Sequence, residues 1–147
     1  MNDPTVNPDR SRPDDTFLMR LPVRISAIEE GRLSLLAYLA PLHLDVRLIN
    51  RVEVVLEEMI SNVVRHATAA DSLLITAKPI DSNVLLTVED NGAAFNPLEV
   101  PEPAPFDSLE DATLGGQGVP LIKRLSKSVS YRRTSTGNRI SALVAST

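Results

Sequence analysis

Cysteine and tryptophan are missing from this 147-residue chain, and aromatic side chains make up only 3% of it. Without thiols there is no disulfide and no thiolate metal site, which agrees with a reducing cytoplasm as the expected location. With so few aromatics, any core must be aliphatic. The apolar share of 43% suffices for that, and the length suits one domain better than two. Long apolar runs are missing too. The most apolar stretch, Leu33 to Leu44, is interrupted by Pro41 and His43 and is too short to span a bilayer, so no membrane partner is expected. The N-terminus shows no basic start followed by an apolar run, so no signal peptide is expected. A net charge of −4 argues against direct nucleic-acid binding. Finally, no Asp or Glu occurs from Ala112 onward, where Lys123, Arg124, Lys127, Arg132, Arg133 and Arg139 stand. The acids Glu99, Glu102, Asp107, Glu110 and Asp111 gather just upstream. That asymmetry reads either as solvated faces or as a surface for an acidic partner.

What is present reads as one domain over residues 16–147 behind a mobile, proline-rich tail over 1–15. Phe17 to Val23 predicts a strand ending at Pro22. Ser26 and Glu29, at capping-box spacing, open a helix that runs to about Ala40 before Pro41. Asp45 can cap the long helix that follows. Ser72–Ala77 and Asn83–Glu89 predict a hairpin joined through Pro79-Ile80-Asp81-Ser82. Asn96 to Leu114, with Pro97, Pro101, Pro103 and Pro105 among acids, is too long for an ordinary connection and predicts a functional lid or a disordered segment. Val119–Leu125 predicts a short helix with Pro120 in its first turn. Ser128–Arg133 and Arg139–Val144 predict a closing hairpin around Thr136-Gly137-Asn138.

The long helix carries the chemistry. Val52, Val55, Met59 and Val63 recur at helical spacing, and Leu48, Leu56, Ile60 and Ala67 widen the apolar stripe. Glu58, Asn62 and His66 stack on one border of that stripe, while Glu57 falls about 100° away on the other. A carboxylate one turn before an amide lets Glu58 accept a proton from a hydroxyl while Asn62 offers a neutral oxygen to Mg²⁺. A merely solvated polar edge is the other reading.

Two further motifs share this ambiguity. Asp90-Asn91-Gly92 after a strand is a common turn; it is also a way to aim a carboxylate at an exocyclic amine such as adenine N6. Guanine would face it with a carbonyl oxygen and leave a buried acceptor unpaired. Gly115-Gly116-Gln117-Gly118 before a helix can turn backbone N–H groups toward an anion, but it is neither a Walker loop nor a dinucleotide fingerprint.

Taken in order, Glu-x-x-x-Asn-x-x-x-His on a helix, Asp-x-Gly-x-x-Phe after a strand, a long lid and Gly-Gly-x-Gly opening a helix resemble the GHKL (histidine-kinase-like) ATPase superfamily. The phrases around Glu57-Glu58, Asp90 and Gly115 resemble its anti-sigma-factor serine/threonine kinases, which are partner-switching regulators. The likeness covers about Phe17 to Val144. It implies a Bergerat-type ATP-binding fold, an α/β two-layer sandwich with helices on one face of a mixed, mostly antiparallel sheet. It also implies ATP and Mg²⁺ as cofactors and serine phosphorylation on a small anti-anti-sigma (STAS-type) protein. Sequestration of a sigma factor or similar regulator, and a possible homodimer, belong to the same expectation. By position, Glu58 matches the general base and Asn62 the Mg²⁺ ligand, with His66 near the phosphates. Asp90 matches the adenine-reading carboxylate, Gly92 the ring-approach glycine, and Phe95 belongs to the same nucleotide motif. Gly115, Gly116 and Gly118 match the phosphate-closing loop, and Thr136 or Thr134 a hydroxyl near the adenine. Ala94, Gln117 and Pro120 depart from the usual pattern and bear on lid closure. Two alternatives remain: a non-catalytic ATP-binding module, and a stand-alone ATP-binding domain of a histidine kinase.

Overall fold

The computed structural model describes residues 16–99 and 118–147. The expected tail, and the expected lid beyond Glu99, lie outside these residues. Strand β1 (Phe17–Pro22) leads into helix α1 (Ser26–Leu39), a 3-10 turn (Ala40–Leu42) and the long helix α2 (Val46–His66). The hairpin β2 (Ser72–Ile80) and β3 (Asn83–Asp90) follows, then a second 3-10 turn (Pro97–Glu99). Helix α3 (Gly118–Arg124) and the hairpin β4 (Ser126–Arg133) and β5 (Asn138–Val144) close the described chain.

The five strands form one sheet in the order β1-β2-β3-β5-β4. Every neighbouring pair is antiparallel, so the sheet is uniform among the described strands where a mixed one was expected. Alternation decides which face the helices cover. Leu73, Ile75 and Ala77 of β2, Leu86 and Val88 of β3, and Ile140, Ala142 and Val144 of β5 are buried on one side. They join Leu48, Val52, Val55, Leu56, Met59, Ile60 and Val63 of α2 in a single aliphatic core. Full burial of one such side chain contributes about 1.5–3 kcal/mol, so α2 is the main anchor of the helical layer. Helix α1 approaches the sheet closely at Gly31, where a Cβ would come within 2.8 Å of Ile75 Cδ1.

Local chemistry explains two differences from the sequence reading. Helix α1 does begin at Ser26, but no side chain caps it. Glu29 holds Arg32 instead, through bonds of 2.9 and 2.8 Å, and Arg32 reaches across to Glu53 on α2 at 3.1 Å. A charge-assisted fork that ties two helices outcompetes a backbone cap. The first hairpin also turns more tightly than expected. Strand β2 continues through Pro79 and Ile80, leaving Asp81 and Ser82 as a two-residue turn with Asp81 at φ 56°. The Asp45 cap forms as expected, its carboxylate accepting from the Arg47 N–H at 2.8 Å.

Candidate functional site

Helix α2 builds the site because its two stripes face different things. Met59 and Val63 are buried in the core and also form, with Val88 and Ile140, the apolar floor of a pocket. The pocket encloses about 310 Å³ of empty space, part of it open to solvent. Asn62, Asp90, Tyr131 and Asn138 supply its polar groups, and Phe95 and Pro97 form a wall. An apolar slot with a few convergent polar groups is how small-molecule sites are usually made.

Asp90 ends β3 at the pocket. Its Oδ1 accepts from the Gly92 N–H at 2.8 Å and from Asn138 Nδ2 at 3.0 Å. Its second oxygen accepts no hydrogen bond from the described residues and is available to a ligand amine. Gly92 sits where a Cβ would meet the Thr68 carbonyl oxygen at 2.8 Å, so the loop itself demands glycine there. The neighbouring Asn91 pins this loop to β2, accepting from the Asp71 and Ser72 N–H groups at 2.9 and 3.1 Å. His66 does not line the pocket but stacks on Phe95, ring centres 5.3 Å apart.

Glu58 is half-buried one turn before Asn62, whereas Glu57 is exposed, as the helical stripes require. Burial pushes the Glu58 carboxyl above the ordinary range; the adjacent Glu57 charge adds to this and Arg65 opposes it. Gly118, which opens α3, packs directly over it: a Cβ there would lie 2.6 Å from Glu58 Oε1. The motif glycine therefore leaves room for the carboxylate. Gly115 and Gly116 lie outside the described residues.

Thr136 does not reach the pocket. It is exposed at the tip of the closing hairpin, and Thr134 braces that tip by accepting from the Thr136 and Gly137 N–H groups at 3.3 and 2.9 Å. The side chain that meets Asp90 from this hairpin is Asn138, which sequence reasoning missed. Asn138 is 4% exposed and faces Asp90 in the β3–β5 register. Besides Asp90, its Nδ2 donates to the Ala93 carbonyl at 2.8 Å, and its Oδ1 accepts from the Phe95 N–H at 3.1 Å and from the Tyr131 hydroxyl. Arg133 adds a bond of 2.7 Å to the Gly92 carbonyl. The available signal was Gly137, whose Cβ position lies 1.7 Å from the Asp90 carbonyl oxygen. Only glycine lets β5 start so close beside the end of β3.

One observation bears on a metal. The buried Nδ2 of Asn62 has no hydrogen-bond partner among the described residues. The two ends of an amide are assigned from their partners, so an unpaired buried amide can equally present its oxygen. No cluster of three or more His, Asp or Glu side chains able to hold a metal occurs among the described residues. An Asn62 oxygen presented there would suit a hard cation that takes one protein oxygen and completes its shell with water and phosphate, the habit of Mg²⁺.

Comparison with known proteins gives the family. Among curated proteins, the serine/threonine-protein kinase BtrW of Bordetella bronchiseptica is 31% identical over 87 residues, which span 57% of this chain and 61% of that kinase. Among solved structures, the RsbU and RsbW domains of a Mycobacterium tuberculosis protein superpose with a TM-score of 0.65 at 19% identity, over 88% of this chain and 32% of that one. The chain therefore spans less than two thirds of either relative. Among the described residues no helix is long and apolar enough to cross a membrane. The histidine kinase-like ATPase domain profile matches residues 21–143, and the chain belongs to that family.

Proposed function

We propose that this domain is an ATP-dependent serine/threonine protein kinase of the partner-switching type. Its substrate would be a serine on a small anti-anti-sigma (STAS-type) protein, and in its other state it would hold a sigma factor or similar regulator. The observation that carries the reading is the convergence, on one pocket, of the available Asp90 oxygen and the unpaired Asn62 amide, with the half-buried Glu58 one turn away. Asp90 accepts from adenine N6, and the floor of Met59, Val63, Val88 and Ile140 takes the ring. Asn62 would hold Mg²⁺, which when bound neutralises phosphate charge. Glu58 then takes the proton of the serine hydroxyl as its oxygen bonds to the γ-phosphorus and the bond to the β–γ bridging oxygen breaks. ADP leaves with that electron pair. Orientation and charge placement supply most of the acceleration in such transfers. The 31% identity to a curated serine/threonine kinase supports protein serine as the acceptor.

The test compares Glu58→Gln, Glu57→Gln and Asn62→Ala, using calorimetry with Mg·ATP and transfer of labelled phosphate to a STAS-type protein. Glu58→Gln should keep nucleotide affinity and lose about 10²–10⁴ in rate. The exposed Glu57 should be silent, and Asn62→Ala should lose the Mg²⁺-dependent part of affinity as well as rate. Transfer that survives Glu58→Gln but not Glu57→Gln would overturn the assignment of the base. Transfer indifferent to both would show that neither glutamate is the base, and a wild type that binds Mg·ATP but transfers nothing would be a pure binder.

A further inference from the structure

The cations of the C-terminal third play no part in the nucleotide pocket, apart from Arg133 at its rim. Their setting differs from that of the arginines around the first two helices. Arg24 pairs with Glu30 at 4.0 Å, Arg32 with Glu29 and Glu53, and Arg47 with Asp45 at 3.7 Å. From Gly118 onward the sequence has six Lys and Arg and no Asp or Glu. Among the described residues, only Arg139 of this group finds a carboxylate, that of Glu89 at 3.1 Å.

These cations gather at one place in the fold. Among the described strands, β4 is the end strand of the sheet and pairs only with β5. Lys127, Ser128, Ser130, Arg132 and Arg133 along it are exposed, and the exposed Lys123 and Arg124 precede it at the end of α3. Arg132 stands directly opposite Arg139 in the register. Like charges facing across strands are destabilising, by roughly 0.2–1 kcal/mol, and Glu89 answers only one of the two. The side of β4 that has no partner among the described strands also presents a row of main-chain N–H and C=O groups, which match another extended polypeptide. A polyphosphate chain could use the N–H groups but offers nothing to the carbonyls. A second copy pairing edge to edge would set cations against cations.

We propose that the β4 edge, through its open main chain and through Lys127 and Arg132, docks an extended acidic segment of a partner protein as an added strand. Neither Lys127 nor Arg132 lines the pocket, so the test does not depend on the kinase reading.

The experiment uses the full chain, isotope-labelled for NMR, and a short synthetic peptide alternating Glu and Val. The peptide should shift and protect the amides of β4, and a Lys/Val peptide should not. The double variant Lys127→Glu/Arg132→Glu should weaken the acidic peptide by about tenfold or more, as should raising the salt to about 0.5 M. ADP affinity, measured on the same variant by calorimetry, should be unchanged and so reports an intact fold. Equal binding of the two peptides, shifts confined to other elements, or an oligothymidylate displacing the peptide from the same amides would each overturn the proposal.

Discussion

Replacing Asn138 by leucine keeps the side chain's volume and removes both of its polar atoms. In the structure those atoms serve Asp90, Ala93, Phe95 and Tyr131, with bonds of 3.0, 2.8 and 3.1 Å to the first three. A buried group stripped of its partner costs about 1–3 kcal/mol. The full sum does not apply, because Ala93 is exposed and Asp90 keeps the Gly92 N–H. A loss of about 2–4 kcal/mol is expected, which for a domain of this size lowers Tm on the order of 10 °C. Affinity for ADP should fall as well, since nothing else from β5 fixes the Asp90 carboxylate or the Ala93–Phe95 loop. Asn138→Asp sharpens the test. It keeps the acceptor but sets a second carboxylate oxygen where Nδ2 now donates to Asp90 and Ala93, so a hydrogen bond becomes a contact between like charges. This variant should be worse than leucine near neutrality. Melting curves and ADP calorimetry read both effects. If Asn138→Leu melts within a degree or so of the wild type and binds ADP as well, Asn138 is not the hub of the Asp90 loop.

The raised pKa of Glu58 makes its own prediction. A base must be ionised, so phosphotransfer should fall as pH drops through a value above the ordinary carboxylate range, and an acid limb at the ordinary value would contradict the burial. The same shift costs stability as pH rises through it, so Glu58→Gln should be more heat-stable than the wild type at neutral pH, by melting. Asp90→Asn should weaken ATP and narrow its advantage over GTP in calorimetry; a wild type that binds both equally would remove Asp90 from base recognition. Gly118→Ala places a methyl 2.6 Å from Glu58 Oε1, the mobile end of a side chain that can swing away. Transfer should therefore drop while Tm changes little, and an unaffected rate would show that Glu58 works in another position.

Helix α2 was legible because one period governs both its core and its polar border, so Glu58, Asn62 and His66 could be aligned without coordinates. Asp90 and Gly92 were legible because a strand end and a turn are local events. Asn138 was not. Its role depends on the register of β5 against β3, which joins positions 48 residues apart and leaves no local trace. Thr134 and Thr136 belong to the right hairpin, but its crown is held by its own bonds. The Ser26–Glu29 cap failed for the same kind of reason: Glu29 is claimed by Arg32, whose other partner, Glu53, is remote in sequence.

The pocket floor and the core are made of the same side chains, Met59 and Val63 above all. A nucleotide seated there would act as a detachable piece of hydrophobic interior. Ligand bound only by the native state raises its stability by about 2.7 kcal/mol at a hundred times its dissociation constant. The cell's adenylate pool would then act on the chain itself: starvation would leave it looser and more protease-sensitive, and its abundance would follow the energy supply.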